Sequence, residues 1–120
     1  MRQVLIQNNT TALKQPILAE YCDSFLGRFK GLMFKRTVSP GQGLLLVQPT
    51  QDRFNSSIHM FFMRFDIACV WINQELKVVD IQYARRWRPY YVPSAPARFV
   101  LEIHVSHLKD FKIGESVSFI

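Results

Sequence analysis

The feature of this sequence that most constrains its fold is an unbroken apolar run, Ile67–Ile72. A run this short and rich in β-branched and aromatic side chains is typical of a strand covered on both faces. Asn73, Gln74 and Glu75 then predict a turn, and residues 76–83 return with mixed apolar and polar alternation. We therefore predict an antiparallel hairpin at the centre of a sheet.

Other segments are equally short, apolar or alternating, and bounded by Pro, Gly or polar residues, which predicts further strands. These segments are residues 3–7, 16–22, 43–47, 58–63, 99–103 and 116–120. A short helical turn is expected at 106–111. Strands outnumber helices and no regular βαβ alternation is present, so we expect one α+β, mainly β domain over residues 1–120. Its architecture is predicted as a curled antiparallel, barrel-like sheet.

One helix is expected near residues 24–33. Asp23 or Ser24 can cap it, because a short side-chain oxygen accepts from the free amides of a first turn. An apolar stripe follows at helical spacing and predicts that the helix packs on the core. The stripe consists of Phe25, Leu26, Phe29, Leu32 and Met33.

The net charge and the two cysteines limit which partners the protein can bind and in which cellular compartment it is expected. The formal net charge of +6 favours anionic partners, whether ligand, protein or nucleic acid, without naming one. Cys22 and Cys69 form no CxxC pattern and are expected to be buried, inert thiols. The chain shows no secretory signal and no apolar run long enough to span a bilayer, so a cytoplasmic location is expected.

Four ordered blocks resemble domain-of-unknown-function family 192 over roughly residues 17–120. They are Arg28-x-x-Gly31-Leu32-Met33 with Arg36 and Gly43-Leu44-Leu45-Leu46; Ser57-Ile58-His59-Met60-Phe61-Phe62-Met63-Arg64-Phe65; Trp87-Arg88 with Val100-Leu101-Glu102; and Ile113-Gly114-Glu115. The resemblance implies a compact, strand-rich domain and brings no established activity.

The chain departs from the family pattern in three places. Asp66-Ile67-Ala68 stands where the family usually reads Pro-Ile-Asp, Asn73 replaces an Asp, and Ser106 replaces a Gly. If the family used a carboxylate at position 68, this chain has lost it. No chemistry is therefore carried over from the family.

The candidate ligand-binding residues are Arg28, His59, Met63, Trp87 and Glu102. His59 lies among Met and Phe residues, which indicates either a pocket lined by thioethers and aromatic rings or a core strand with a hydrogen-bonded histidine. A carboxylate in an apolar strand needs a partner, so we predict a structural Arg28–Glu102 ion pair.

A basic and aromatic cluster offers an alternative, since arginines can pair phosphates while aromatic rings stack on bases. It consists of Arg85, Arg86, Arg88, Tyr90 and Tyr91. The same pattern also fits a solvated loop whose Trp87 packs on the core.

A third reading is a small metal-dependent or hydrolytic enzyme. His104, His107 and Asp110 have metal-like spacing, although the same residues fit a solvent-facing side opposite apolar neighbours. The sequence has no phosphate loop, nucleophile elbow or HExxH motif. We expect no catalytic residues, no bound metal and no cofactor, and predict a non-catalytic ligand- or partner-binding module.

Overall fold

The computed structural model describes residues 2–120 and contains one curled sheet of seven strands, one short helix and one 3₁₀ turn. The strands are β1 Gln3–Asn8, β2 Ile17–Cys22, β3 Gln42–Asp52, β4 Ile67–Ile72, β5 Val78–Ala84, β6 Ala97–Ile103 and β7 Val117–Phe119. Helix α1 is Phe25–Lys30 and the 3₁₀ turn is Val105–His107. The order across the sheet is β5-β4-β6-β3-β2-β1-β7. The mainly β, half-barrel fold that the sequence predicts is confirmed.

The predicted hairpin is present. β4 pairs antiparallel with β5, from Ile67 opposite Ala84 to Ile72 opposite Val78, and its other edge pairs with β6. Every residue of β4 is buried, as expected of a strand covered on both faces. The hairpin is not central, however, because β5 stands at one end of the strand order.

One pair of strands corrects the antiparallel prediction. β2 and β3 run parallel, with Leu18 opposite Gln42 and Cys22 opposite Leu46, whereas every other ladder is antiparallel. The chain leaves β2, forms α1 and returns through residues 31–41 to the end of the sheet where β2 began. Such a crossover allows parallel pairing, which a tight turn cannot do.

Strand alternation divides the buried side chains into two clusters, one on each face of the sheet. The inner cluster combines residues from both ends of the strand order, including Val78 of β5 and Val117 of β7. The bridge between Lys77 and Ser116 brings those two ends together, so the sheet curls around this core. The outer cluster includes Leu44, Cys69 and Val100, which lie beneath two long connections, 53–66 and 85–96.

The connection 53–66 contains the segment 58–63 that was predicted as a strand, and this prediction is wrong. Only Ile58 makes a β-bridge, to Tyr91 of the connection 85–96. Ile58, Met60 and Met63 are nevertheless buried in the outer cluster. The apolar character of the segment therefore reflects its packing on the sheet rather than pairing within it.

Helix α1 does not pack on the core as predicted. None of its residues is buried, and Phe25, Leu26 and Phe29 are 58–76% exposed. Leu32 and Met33, which follow the helix, carry the buried contacts instead. Within residues 2–120, no helix has the length and apolar character needed to cross a membrane.

Candidate functional site

A cavity of about 650 Å³ lies on the outer face of the sheet, between α1, the end of β3 and the start of the connection 53–66. Its volume is in the range of small-molecule sites. Four of the five predicted ligand-binding residues line it, namely Arg28, His59, Met63 and Glu102. Trp87 is absent from the lining and instead packs against Phe62, with ring centroids 5.1 Å apart.

Glu102 lies at the buried side of this cavity. It sits in β6 between Leu44 of β3 and Cys69 of β4, and its side chain shares the outer face with Val100. The residue is 4% exposed, and its Oε1 atom is buried without a hydrogen-bond partner. Burial raises the pKa of Glu102 to about 7, because a low-dielectric surrounding disfavours the charged form.

The predicted Arg28–Glu102 ion pair is wrong. Both residues line the cavity, but the contact between a basic and an acidic side chain found among residues 2–120 is the one between His107 and Asp110. Arg28 instead donates from Nη1 to the carbonyl oxygens of Asp23 and Val47. The guanidinium is thus held at the wall of the cavity by the residue after β2 and by the middle of β3, and it does not pair with the carboxyl group of Glu102.

Gly31 brings the chain over Glu102. A Cβ atom at this position would lie 3.2 Å from Oε1 of Glu102, and its backbone φ is +51°, a conformation that glycine adopts without steric cost. The glycine therefore lets the residue after α1 approach the carboxyl group closely. Gly31 belongs to the sequence block that resembled the family, and its role here is to close one side of the cavity.

His59 contributes a second unpartnered atom. Its Nε2 lies 2.8 Å from the carbonyl oxygen of Phe29. Because a carbonyl oxygen only accepts, Nε2 carries the hydrogen, and in the neutral ring Nδ1 is left as an acceptor. Nδ1 is buried and has no hydrogen-bond partner. The ring is held between Phe29 and Phe61, with centroids 5.0 and 5.7 Å away.

The predicted nucleic-acid residues do not share one role. Tyr91 is buried, its hydroxyl accepts from the Arg85 amide, and the Arg88 guanidinium lies 4.6 Å from its ring centroid. Tyr90 is exposed and lines the cavity. Arg85 and Arg86 are exposed. Tyr91 therefore does not offer an open ring face, whereas the other four residues remain accessible.

The three residues with metal-like spacing, His104, His107 and Asp110, make hydrogen bonds within the protein instead. Nδ1 of His107 lies 2.8 Å from Asp110 Oδ2, and its Nε2 contacts the carbonyl oxygen of Pro40. His104 turns its Nδ1 to Ser106, where it accepts from the backbone amide that begins the 3₁₀ turn. Residues 2–120 contain no group of three or more side chains arranged to hold a metal ion.

The family model described as "Uncharacterized ACR", DUF192, matches residues 5–119. This chain belongs to the DUF192 family. It is 35% identical over 118 residues to a UPF0127 protein of Pyrococcus abyssi, with 97% of each chain covered. It is also 42% identical over 96 residues to a UPF0127 protein of Thermococcus gammatolerans, where the match covers 80% of this chain and 61% of the relative. The chain thus spans about three fifths of that longer relative.

Two solved structures share the fold of this DUF192 chain. A Sinorhizobium meliloti protein described as a "putative transcription regulator" superposes with a TM-score of 0.84, at 16% identity, over 98% of this chain and 92% of the other. A Novosphingobium aromaticivorans protein of unknown function gives a TM-score of 0.80, at 17% identity, over 97% and 83% of the two chains. At this level of identity the comparison establishes the fold alone.

The residues expected to differ from the family pattern, at positions 66, 68, 73 and 106, are absent from the cavity lining. Ala68 belongs to the inner cluster, whereas Glu102 faces the outer side. Asn73 closes the β4–β5 turn by accepting from the amides of Glu75 and Lys77. The side chain at position 68 therefore lies on the face of the sheet opposite the cavity.

Sequence reasoning missed several cavity residues. Gln48 is buried and lines the cavity directly after the apolar run of β3, and Tyr90 lines it from the connection 85–96. A polar residue that continues a buried strand was the available signal for Gln48. Tyr90 is placed in the predicted nucleic-acid cluster because it follows arginines at positions 85, 86 and 88.

Proposed function

We propose that this DUF192 domain is a non-catalytic binding module whose ligand is a small polar organic molecule held in the cavity above Glu102. The observation that carries the proposal is the presence of two buried, unpartnered polar atoms in one cavity, Glu102 Oε1 and His59 Nδ1. A buried polar group without a hydrogen-bond partner lowers the stability of the fold. Two such atoms in one cavity are therefore suited to hydrogen bonding with a bound ligand.

The lining defines the chemistry of such a ligand. His59 Nδ1 accepts a hydrogen bond, so the ligand carries at least one donor. Arg28 and Lys30 add positive charge to the wall, which suits an acceptor or anionic group elsewhere on the same molecule. Phe25, Phe29 and Phe54 supply apolar walls. A molecule with a donor at one end and an acceptor at the other satisfies these groups together.

The arrangement favours binding over catalysis. Nucleophilic or general-base chemistry needs the reacting groups within hydrogen-bond reach of one another. Glu102 Oε1 and His59 Nδ1 both lack partners, so neither activates the other. We also propose a cytoplasmic location, in which the buried thiols of Cys22 and Cys69 stay reduced.

The test is a screen of small amides, amines and hydroxy acids against the protein, read from the ¹³C methyl signals of Met63 and Ile58. We expect a subset of these compounds to shift both signals. Thr50→Trp, at an exposed position on the cavity lining, should abolish the shifts. Thr37→Trp, at an exposed position outside the lining, is the matched control and should preserve them. Shifts that survive Thr50→Trp, or no shift with any compound, would overturn the proposal.

A further inference from the structure

Three exposed aromatic rings form a continuous row on the outer side of the molecule. Phe34 packs against Phe62 with ring centroids 5.2 Å apart, and Phe62 packs against Trp87 at 5.1 Å. The three side chains are 58, 47 and 55% exposed. They come from three different connections, 31–41, 53–66 and 85–96, so their assembly is a tertiary feature rather than a local one.

The backbone adopts an unfavourable conformation to present these rings. Among residues 2–120, non-glycine residues with positive φ are Phe34, Phe62, Leu76 and Trp87. Leu76 closes the hairpin turn, and the other three are the members of the aromatic row. A bulky residue in the left-handed region is strained, and such strain collects at functional surfaces.

Backbone hydrogen bonds hold the three connections together. The Phe34 amide donates to the Phe62 carbonyl at 3.2 Å, and the Trp87 amide donates to the Met60 carbonyl at 2.8 Å. Ile58 and Tyr91 exchange two further bonds. The row is therefore a preorganised surface rather than a set of independent loop tips.

In each of the three connections, basic residues lie within two positions of the aromatic residue in the sequence. Lys35 and Arg36 follow Phe34, Arg64 follows Phe62 by two residues, and Arg86 and Arg88 flank Trp87. All five basic side chains are exposed. The nearby carboxylate of Asp66, which accepts from the Tyr83 hydroxyl and the Arg86 amide, sets one negative charge against these five positive ones.

We propose that the aromatic row and its basic neighbours dock this domain on an anionic lipid bilayer surface. Exposed Trp and Phe side chains partition into the interfacial region of a bilayer, and neighbouring Lys and Arg residues attract anionic headgroups. The rings favour lipid over nucleic acid, because they are tilted by 31° and 60° to one another and so present no parallel faces for successive bases.

The test compares binding of the full chain to phosphatidylcholine vesicles with and without phosphatidylserine, by co-sedimentation and tryptophan emission. We expect binding to the phosphatidylserine vesicles, a blue shift from Trp87, and affinity that falls as salt is raised. Because the rings are exposed, the double variant Phe34→Ser/Phe62→Ser should fold and bind about tenfold more weakly or worse. The matched control Leu18→Ser/Ile113→Ser removes two exposed apolar side chains elsewhere and should bind as the parent does.

A second pair of variants tests the charge. Arg64→Glu/Arg86→Glu should lose binding to the anionic vesicles, whereas Lys14→Glu/Lys109→Glu, with the same change of net charge, should retain most of it. Equal binding by both vesicle types, or equal effects of the two pairs, would overturn the proposal. Tighter binding to oligothymidine, lost in the Phe34→Ser/Phe62→Ser variant, would assign the row to nucleic acid instead. Self-association that requires the same rings would likewise replace the bilayer as the occupant.

Discussion

At the scale of single residues, the position of Glu102 in the sheet could be predicted from the sequence, but its partner could not. Alternation in β6 correctly places it on the face of Val100, opposite Phe99, Leu101 and Ile103. Alternation says nothing about which distant side chain meets it. The partner inferred from charge, Arg28, is held by backbone carbonyl groups instead. The face of a residue follows from local periodicity, whereas its partner depends on contacts between remote segments.

Replacing Glu102 with Gln should stabilise the protein at and above neutral pH. Because the pKa of Glu102 is raised from 4.5 to about 7 in the folded state, ionisation opposes folding increasingly as pH rises between those values. The penalty reaches about 3 kcal/mol above that range, and removal of the charge relieves it by up to that amount. Urea unfolding of both proteins across this pH range measures the difference.

The stability of the two proteins at acid pH is the control for this prediction. Below about pH 4.5 the two proteins should converge, since the parent carboxyl group is then neutral in both states. A Glu102→Gln variant that is less stable than the parent above pH 7 would mean that the ionised carboxylate has a stabilising partner.

Gly31→Ala should destabilise the fold by about 1–2 kcal/mol, because the new Cβ meets Glu102 Oε1 at 3.2 Å and the backbone φ is positive. Gly41→Ala is the matched control. A Cβ there makes ordinary contacts of 3.8 and 3.9 Å, so it should be close to neutral. Thermal unfolding of the two variants gives the comparison, and an equal effect at both positions would refute the close approach at Gly31.

At the scale of secondary structure, the apolar spacing of residues 24–33 predicts helix α1 but not whether the helix is buried. The spacing of Phe25, Leu26 and Phe29 defines an apolar face, but not what that face covers. In the structure the helix lies at the cavity, and the chain enters the core only after it ends, at Leu32 and Met33. The apolar stripe therefore has two parts. Its residues within the helix are exposed, whereas the two that follow the helix are buried.

Two leucines of that stripe test the boundary. Leu32→Ala should cost about 2–4 kcal/mol, because Leu32 is buried in the outer cluster. Leu26→Ala should change the free energy of unfolding by about 0.5 kcal/mol or less, because Leu26 is exposed. Urea unfolding of both variants measures this, and similar losses would restore the packed helix that the sequence predicted.

The turn before β7 contains Glu115, a carboxylate that, unlike Glu102, is fully hydrogen-bonded within the protein. Glu115 accepts from Asn8 Nδ2 at 3.0 Å, Thr11 Oγ1 at 2.8 Å and the Lys112 amide at 2.7 Å. Burial opposes its ionisation, but these hydrogen bonds outweigh burial and lower the pKa of Glu115. They tie the end of the chain to β1, which no local pattern in the sequence indicates.

Glu115→Gln should therefore weaken folding at neutral pH, in contrast to Glu102→Gln. A lowered pKa in the folded state stabilises the protein above the unfolded value of 4.5, and this contribution disappears as pH falls through the folded pKa. The loss caused by Glu115→Gln should accordingly shrink in acid. A loss that is constant with pH would show that the carboxylate charge has no part in closing β7 onto β1.

At the scale of the whole molecule, the strands were predictable and their arrangement was only partly so. Buried strands such as β4 have an unmistakable composition, and the β4–β5 pair is joined by a short turn. The parallel pairing of β2 with β3 is not predicted, and the segment 58–63 is wrongly predicted as a strand, because both are decided by how long connections cross the sheet. The cavity arises from the same connections, which explains why four of its residues were anticipated but their contacts were not.

The central claim is that Glu102 lies in a ligand-sized cavity without a partner from the protein. The direct measurement is a ¹³C NMR titration of the Glu102 side-chain carboxyl carbon in the free protein, assigned by the loss of its signal in Glu102→Gln. We predict a midpoint of about 7, the value set by burial alone. A midpoint at or below 4.5 would show that a cationic or hydrogen-bonding group already satisfies the carboxylate, and would contradict the account.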